Sequence, residues 1–243
     1  MKIITGKNEV QQIVNAAIEV YHQSGTDAFV AQLHQQLLKQ KIRFPLLEMA
    51  ALKLYEMLPG KKQPEITDKI FYLHEIGSNV VAGILLQQRL SEHFQQSISK
   101  AVEYIIAGDK WYVCDIIGER VMGFALLNDP ERAIPALKKL VVHPDKWIVR
   151  SVGVATHYAV KKGLPKKYVV QQFRLLLTLA CTTDFHTKKG IGWAAKTIAK
   201  FHPGIVQLYQ EEIENSATVK QWFKSKIKTG LSRSAKYASR YTG

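Results

Sequence analysis

The sequence is poor in the features that mark secreted, membrane-embedded or metal-binding proteins. Only two cysteines, Cys114 and Cys181, occur among 243 residues. Both fall in segments of helical periodicity, so we expect reduced, buried thiols in a cytoplasmic protein. No apolar run approaches the ~20 residues of a membrane span, and the first residues lack the apolar core of a signal peptide. Metal-ligand spacings and glycine-rich phosphate loops are also missing, so we expect no metal, no cofactor and no membrane partner.

Acidic residues are scarce relative to basic ones. The chain has 20 aspartates and glutamates against 34 lysines and arginines, a formal net charge of +14, and no acidic residue after Glu214. Such a balance indicates a polyanionic partner, of which nucleic acid is the simplest. A solvated, lysine-rich surface would give the same balance, so composition alone leaves both interpretations open.

Strand-forming runs are rare, and apolar residues recur at helical spacing through nearly the whole chain. This pattern predicts an all-α protein. The predicted helices include 26–41, 110–127, 146–162, 186–201, 203–214 and 217–240. Pro130, Pro165 and Pro203 each stand where a helix is expected to start, a position at which the missing N–H costs nothing. The linkers are short, which favours antiparallel packing of neighbouring helices.

An internal repeat indicates how the helices are organised. The segment DKWYV at 109–113 recurs as DKWIV at 145–149, and a weaker copy, DFHTK, stands at 184–188. Each copy opens with an aspartate placed to cap the helix that follows. Helix pairs that repeat at a period near 40 residues are typical of HEAT-like solenoids, which expose a long concave surface. The predicted fold is therefore a HEAT-like α-α superhelix in a single, monomeric domain over 1–243.

Two of the repeat helices carry stripes of basic and aromatic residues at helical spacing. The stripe of the third copy consists of Lys189, Trp193, Lys196 and Lys200. The stripe of the second copy consists of Trp147, Arg150, Val154, His157 and Lys161. Faces of this kind are expected to contact the phosphates and sugars of DNA without reading its sequence. Ordinary amphipathic helices with solvated lysines would show the same spacing.

The first copy carries a carboxylate instead. Asp115 stands in an otherwise apolar run, four residues after Trp111, so that the indole and the carboxylate share a helix face. Gly118 and Met122 continue this face, and a small residue there would let a large group approach. A carboxylate among apolar neighbours has to be paired or solvated. A salt bridge to Arg150 in the next copy is therefore the structural alternative to a catalytic role.

The predicted C-terminal helix, 217–240, is strongly basic. Its cations are Lys220, Lys224, Lys226, Lys228, Arg233, Lys236 and Arg240, and Trp222 and Tyr237 lie among them. One-sided charge over this length indicates contact with a nucleic-acid backbone, with Lys224 and Lys228 as the expected contacts. A solvated terminal cap of the solenoid is the alternative.

Three motifs resemble those of the DNA alkylation repair family of HEAT-like DNA glycosylases (the AlkD type). The segment WYVCD at 111–115 resembles the family's Trp-x-x-x-Asp pair, and WIVRS at 147–151 resembles its Trp-x-x-Arg helix. The segment KKGIGWA at 188–194 is similar to its Lys-Ala-Ile-Gly-Trp helix. The motifs occur in the family's order, and the resemblance covers about residues 75–215.

The resemblance implies a curved helical stack that cradles duplex DNA and excises cationic alkylated purines, chiefly 3-methyladenine and 7-methylguanine, without a base-flipping pocket. It also implies that Trp111 and Trp193 pack on the sugar and backbone of the lesion. Asp115 would stabilise the developing oxocarbenium ion or orient the attacking water, and Arg150 would hold a phosphate. An N-alkylated purine is already a cationic leaving group, so no general acid is needed.

The sequence departs from the family pattern at three places. Tyr112 stands where the family has an acidic residue, Gly190 replaces an alanine, and 46–48 lack the arginine of a Pro-x-x-Arg element after Pro45. Three functions therefore stay open. The first is a glycosylase acting on alkylated double-stranded DNA, and the second is a non-catalytic binder of duplex, branched or damaged DNA. The third is a scaffold for an acidic protein, in which Asp115 is locked in a salt bridge.

Overall fold

A computed structural model describes residues 2–237. The helices are α1 Lys7–Leu33, α2 Phe44–Met57, α3 Gln63–Phe71, α4 Ile76–Gln88, α5 Leu90–Gly108, α6 Trp111–Ile117, α7 Phe124–Asn128, α8 Pro130–Leu140, α9 Lys146–Lys161, α10 Lys166–Leu177, α11 Phe185–Phe201, α12 Pro203–Leu208, α13 Gln210–Glu214 and α14 Gln221–Leu231. Two short strands, β1 Ile3–Ile4 and β2 Lys41–Ile42, are the remaining regular elements besides π-helical and 3-10 turns. The prediction of an all-α fold is confirmed.

The chain forms two compact units, and the boundary between them falls inside α5. Unit 1 extends to Tyr104, and unit 2 begins at Ile105. Folding of 1–243 as one domain stays a prediction. None of the described helices combines the length and the apolarity needed to cross a bilayer.

Unit 1 packs α1 to α4 and the first part of α5 around a core in which the Phe71 and Tyr104 rings stack at 3.9 Å. The helix predicted over 26–41 is wrong at its end. It closes in a π-helical turn, His34–Leu38, and β2 then pairs in parallel with β1. β2 forms because its backbone pairs with the N–H and C=O groups of β1, which would otherwise lack hydrogen-bond partners. The side chain of Ile4 in β1 is buried.

Unit 2 is a stack in which four helical segments lie side by side in chain order. They are α6 with its continuation through the π-helical turn Gly118–Gly123 into α7, then α9, α11 and α14. α8, α10 and α12 pack against this layer. The four segments start at 111, 146, 185 and 221, which gives spacings of 35, 39 and 36 residues. The repeat therefore has a fourth copy, α14, that the sequence comparison did not align.

Tryptophan side chains fasten the second and fourth copies to the copies that precede them. The indole N–H of Trp147 donates to Asp109 Oδ1 at 2.6 Å, and that of Trp222 donates to the Thr182 carbonyl at 3.2 Å. In both cases a residue at the start of one helix contacts the loop that leads into the preceding one. The stacked helices consequently run parallel.

Capping by the repeat aspartates is confirmed for two copies and wrong for the first. Asp145 Oδ1 accepts from the Trp147 backbone N–H at 2.7 Å, and Asp184 Oδ1 accepts from that of Thr187 at 2.7 Å. At Asp109 the backbone has a φ of 41°, and the N-cap position of α6 passes to Lys110. The Asp109 carboxylate instead accepts the hydrogen bond from the Trp147 indole.

Glycines set the close spacing of the stacked helices. A Cβ at Gly190 would lie 2.5 Å from the Arg150 carbonyl oxygen, and one at Gly153 would collide with the backbone of Gly190. α9 and α11 therefore touch backbone to backbone, and this contact requires glycine at 190. Gly118 likewise packs against Val154, so the group that approaches this small residue is a side chain of α9.

Other sequence-based expectations need correction at element ends. Cys114 is buried as expected, but Cys181 is exposed in the turn after α10. The helix predicted over 203–214 breaks at Tyr209, where φ is −113°. The predicted helix 217–240 is shorter, since Lys220 N–H donates to the Ala180 carbonyl at 3.1 Å and α14 begins only afterwards. Its residues 238–240, with the cation predicted at 240, lie outside the described residues.

The proline predictions hold at two of the three helix starts. Pro130 and Pro203 are the first residues of α8 and α12, as the missing N–H favours. Pro165 instead takes the N-cap position of α10.

The close approach of α9 and α11 predicts that Gly190→Ala lowers the free energy of unfolding by roughly 1–3 kcal/mol, because the added methyl meets a backbone carbonyl that cannot move aside. The matched control is Gly204→Ala in α12, where a Cβ would meet nothing within 4 Å. That substitution is expected to be neutral or to stabilise by up to about 1 kcal/mol through helix propensity. Urea unfolding of both variants checks the difference, and equal midpoints would contradict the packing argument.

Candidate nucleic-acid interface

A buried ion pair joins the first two copies of the repeat. Arg150 Nε donates to Asp115 Oδ1 at 2.9 Å, and Arg150 Nη2 donates to Asp115 Oδ2 at 2.8 Å. The Arg150 side chain is 9 % exposed and that of Asp115 is 18 % exposed. A third donor, Arg150 Nη1, reaches the His186 carbonyl on α11 at 3.3 Å. The salt bridge that the sequence offered as the structural alternative for Asp115 is thus present.

The Arg150 guanidinium keeps its charge although it is largely removed from water. Burial lowers the pKa of the Arg150 guanidinium, but hydrogen bonds and Coulomb attraction from Asp115 outweigh that effect, and the net shift is upward. Next to it, burial and the negative charge of Asp115 raise the pKa of the Cys114 thiol, whose Sγ lies 3.2 Å from the Trp147 carbonyl. Cys114 is therefore a packed thiol and not a nucleophile.

Trp111 differs from the other tryptophans near the helix starts. It is 58 % exposed, whereas Trp147 is 5 % exposed. Within residues 2–237 its indole N–H has no hydrogen-bond partner, and its ring meets the Tyr112 ring edge-on at 5.9 Å. Asp115 follows one helical turn later on α6. The first copy of the repeat therefore combines an exposed indole with a fixed carboxylate, and the later copies lack this combination.

Trp193 on α11 forms part of a stack. Its ring lies on the His157 ring of α9 with centroids 3.8 Å apart and an interplanar angle of 23°. The Thr197 hydroxyl donates to the Trp193 carbonyl at 2.9 Å, so its oxygen accepts from His157 Nδ1 at 2.7 Å. This hydrogen bond selects the tautomer with the proton on Nδ1 and fixes the imidazole under the indole.

The imidazole in this stack is neutral at physiological pH. Burial lowers the pKa of His157 to about 3, and the positive charges of Lys161, Lys196 and Lys200 add to the shift. The stripe predicted on α9 is therefore not a solvated face. Trp147, Arg150, Val154 and His157 are all buried, because α9 has a packed helix on each side.

The lysines chosen from the sequence lie in different surroundings. Lys189 is exposed, with its ammonium 5.1 Å from the centroid of the Phe185 ring. Lys196 and Lys200 are half-buried on α11. Lys224 Nζ donates to the Glu214 carbonyl at 2.7 Å and to Ser216 Oγ at 3.0 Å, while Lys228 is exposed.

Two cations of the predicted C-terminal helix that were not chosen as DNA contacts, Lys226 and Arg233, lie closer to α11. The aliphatic stem of Lys226 packs on Gly192. In addition to burial, the positive charges of Lys226 and Arg233 lower the pKa of Lys196. The sequence could have predicted this for Lys226, because its spacing from Phe223, Ile227 and Gly230 places it beside the buried side of α14.

The side chains of this region determine which chemistry it can support. Among the described residues no group of three or more His, Cys, Asp or Glu side chains is placed to hold a metal ion. A fixed carboxylate and aromatic faces stabilise positive charge. Lysine and arginine side chains on neighbouring helices bind phosphates.

The buried, neutral His157 predicts a pH-dependent stability. Unfolding frees a histidine that takes up a proton near pH 6.5, whereas the folded ring stays neutral until about pH 3. Its contribution is complete above pH 6.5 and is lost as the pH falls, by up to about 2 kcal/mol between pH 6.5 and 5. His157→Phe, which keeps an aromatic ring under Trp193, should flatten this loss in urea unfolding at the two pH values. Equal pH slopes for the two proteins would contradict the assignment.

Comparison with known proteins places the chain in a family. The family described as DNA alkylation repair enzyme matches residues 22–239. The crystal structure of an engineered protein, a Northeast Structural Genomics Consortium target, is similar to this chain at 12 % identity and a TM-score of 0.42, over 92 % of this chain and 96 % of that one. No curated protein matches. The motifs around Asp115, Arg150 and Trp193 lie inside the matched range, and the chain belongs to the DNA alkylation repair enzyme family, with a role in the repair of DNA.

Proposed function

We propose that this protein is a monofunctional DNA glycosylase that hydrolyses the N-glycosidic bond of cationic alkylated purines, such as 3-methyladenine and 7-methylguanine, in duplex DNA. The observation that carries the proposal is the Asp115 carboxylate, held by two hydrogen bonds from Arg150 one helical turn from the exposed Trp111. No base-flipping pocket is invoked, since the exposed indole suits contact with the backbone side of the lesion.

The reaction needs stabilisation of positive charge at the sugar. When the C1′–N bond breaks, its electron pair neutralises the cationic purine, and the charge moves to the deoxyribose as an oxocarbenium ion. Water then attacks C1′ and loses a proton, which leaves the free base and an abasic site. A carboxylate that is already oriented stabilises this ion without reorganising during the reaction. Each Asp115 oxygen accepts one hydrogen bond from Arg150 and keeps lone pairs for the ion or for the attacking water.

Two aromatic residues are assigned to the lesion's sugar and backbone. The Trp111 ring is exposed, and the Trp193 ring is half-buried and held from below by His157. An aromatic face also attracts a cation, so either ring can share in stabilising the developing charge. A rigid ring loses less entropy on contact with DNA than a mobile one, and the stack on His157 provides that rigidity.

Arg150 has two tasks in the proposal. Three of its five N–H donors are taken by Asp115 and the His186 carbonyl, which fixes the guanidinium and the carboxylate together. The proposal assigns a remaining donor to a phosphate oxygen near the lesion, although the side chain is only 9 % exposed. Lys189, Lys196 and Lys200 extend the phosphate contacts along α11.

One observation favours a second candidate function, a non-catalytic binder of duplex, branched or damaged DNA. Both Asp115 oxygens are already engaged by Arg150, so the pair also satisfies a purely structural requirement. In that case the cations of α11 and α14 would bind DNA with salt-sensitive affinity and no base would leave.

The glycosylase proposal predicts that Asp115→Asn lowers the single-turnover rate of 7-methylguanine release from methylated duplex DNA by about 10²-fold or more, because a neutral amide cannot stabilise the oxocarbenium charge. Chromatography of the released base measures the rate. Asp129→Asn is the matched control, since Asp129 also pairs with an arginine, Arg132, but caps α8, where asparagine caps equally well. It should release base at the wild-type rate.

Binding of the same DNA by Asp115→Asn is measured in parallel. Wild-type release above the spontaneous rate, lost only in Asp115→Asn, supports catalysis. DNA binding by the wild type without release above background overturns the glycosylase and leaves the binder. A loss of folding in Asp115→Asn is recognised by circular dichroism, and Asp115→Glu, which keeps the charge but displaces it, then takes its place with the same expected loss.

A further inference from the structure

A cavity of about 260 Å³ lies in unit 1, between α3, the end of α4 and α5. It is slightly smaller than the roughly 300–1,000 Å³ of pockets that take drug-sized ligands, so it suits a small organic molecule. Its lining combines apolar surface from Leu86 and Tyr104 with polar groups from Asp68, Arg89, Ser97 and Lys100. We call it the Arg89 cavity. All of these residues belong to unit 1, whereas the residues assigned to base excision belong to unit 2.

Ser97 carries a hydroxyl in this lining that the protein leaves without a hydrogen-bond partner. Ser97 is 1 % exposed, and within residues 2–237 no atom is hydrogen-bonded to its Oγ. A serine inside a helix commonly donates to the carbonyl four residues earlier. That position is His93, where a φ of −125° and a ψ of 45° interrupt the helical path of α5. A buried hydroxyl without a partner is costly, and a ligand in the cavity could supply the missing bond.

Arg89 is the cation of the lining that lacks a counterion. It is half-buried at the end of α4, and among the described residues no carboxylate lies within salt-bridge distance of it. Lys100, in contrast, is matched by two carboxylates, since its Nζ lies 3.3 Å from Asp68 Oδ1 and 2.9 Å from Glu103 Oε2. The charge that a ligand could compensate is therefore that of Arg89.

The opposite wall is fixed before any ligand binds. The Tyr104 hydroxyl donates to Asp68 Oδ1 at 2.6 Å, and the Tyr104 ring stacks on Phe71. Asp68 also pairs with Lys100, so its carboxylate is held from two sides. A preformed wall of this kind lowers the entropy lost on binding, because its side chains are already ordered.

We propose that the Arg89 cavity binds a small organic monoanion, whose carboxylate pairs with Arg89 and whose body lies against Leu86 and Tyr104, within hydrogen-bond reach of Ser97. The planar guanidinium matches the two oxygens of a carboxylate. A phosphate dianion is less suitable, because the negative charge of Asp68 in the same lining would repel it. The inference goes beyond DNA repair and depends on neither DNA binding nor base excision.

The probe is 4-hydroxybenzoate, a monoanion with an apolar ring that fits the volume of the cavity. Isothermal titration of the full chain at pH 7 measures its affinity beside those of the neutral 4-hydroxybenzamide and inorganic phosphate. We expect a Kd of about 1 mM or tighter for 4-hydroxybenzoate, and binding about tenfold or more weaker for the amide, which lacks the charge. Equal affinity for acid and amide, tighter binding of phosphate, or no binding of 4-hydroxybenzoate overturns the proposal.

Two pairs of variants locate the bound probe. Arg89→Gln should weaken binding of 4-hydroxybenzoate about tenfold or more, and its control is Arg43→Gln, which removes an exposed arginine from the start of α2. Ser97→Ala should weaken binding about threefold or more. Its control is Ser78→Ala, since Ser78 is likewise buried with an unpartnered hydroxyl but lies outside the lining. Controls that lose as much affinity as the test variants overturn the assignment to this cavity.

Thermal unfolding without the probe separates loss of binding from loss of structure. Ser97→Ala removes a hydroxyl that has no partner in residues 2–237, so its melting temperature should equal or exceed that of the wild type. A lower melting temperature would show that the hydroxyl has a structural role and would overturn the argument from Ser97.

Titration of 4-hydroxybenzoate in the presence of saturating duplex DNA keeps this inference apart from the proposed function. Unchanged affinity for the probe, together with wild-type DNA affinity in Arg89→Gln, supports a separate small-molecule site. Displacement of the probe by DNA, with weaker DNA binding in Arg89→Gln, would make the cavity part of a DNA surface and overturn the inference. Loss of base release in Asp115→Asn has no bearing on either result.

Discussion

The guanidinium of Arg150 joins three successive helices of unit 2, and the candidate site depends on that junction. It pairs with Asp115 on α6 and donates to the His186 carbonyl on α11, while its own carbonyl lies against Gly190. A single buried charge on this side chain would be costly without its partner. The pair is therefore fixed in both directions, since loss of the carboxylate would leave the guanidinium buried without its partner, and the guanidinium holds both carboxylate oxygens. The orientation that the proposed chemistry needs at Asp115 follows from this packing.

Tryptophan has two roles at the helix starts of the repeat, one in packing and one at the exposed surface, and tertiary contacts determine which role each tryptophan takes. Trp147 and Trp222 each donate an indole N–H to the preceding copy, and they fasten the stack together. Trp111 occupies the corresponding place at the start of α6 but is more than half exposed. An exposed indole contributes little to stability, which is consistent with the ligand contact proposed for Trp111. The copies that carry a tryptophan at the helix start look alike in sequence because helix starts impose the same pattern, whichever task the side chain performs.

The sequence predicted the helices and the ion pair because both follow from local pattern. Helical periodicity depends on neighbours along the chain, and a carboxylate among apolar residues has few ways to be satisfied. The failures depend on distant contacts. Asp109 does not cap α6, because the chain turns at a positive φ and the carboxylate meets the indole of the next copy. Lys224 and Lys228 seemed the natural cations of α14, but the side of a helix that meets its neighbour is set by Phe223 and Ile227 once they are buried.

The lysines of α11 link phosphate binding to the electrostatics of the proposed reaction. A protonated imidazole under Trp193 would repel a cation forming at the sugar. Burial together with Lys161, Lys196 and Lys200 lowers the pKa of His157 far below physiological pH, so the stack presents an uncharged face. Lysine charge and developing oxocarbenium charge also repel each other, which favours cations that are placed toward the phosphates and away from Asp115. Bound phosphates neutralise the lysines, while burial, the largest cause of the lowered pKa, continues to act on His157. Strand binding and stabilisation of the cation are then compatible on adjacent helices.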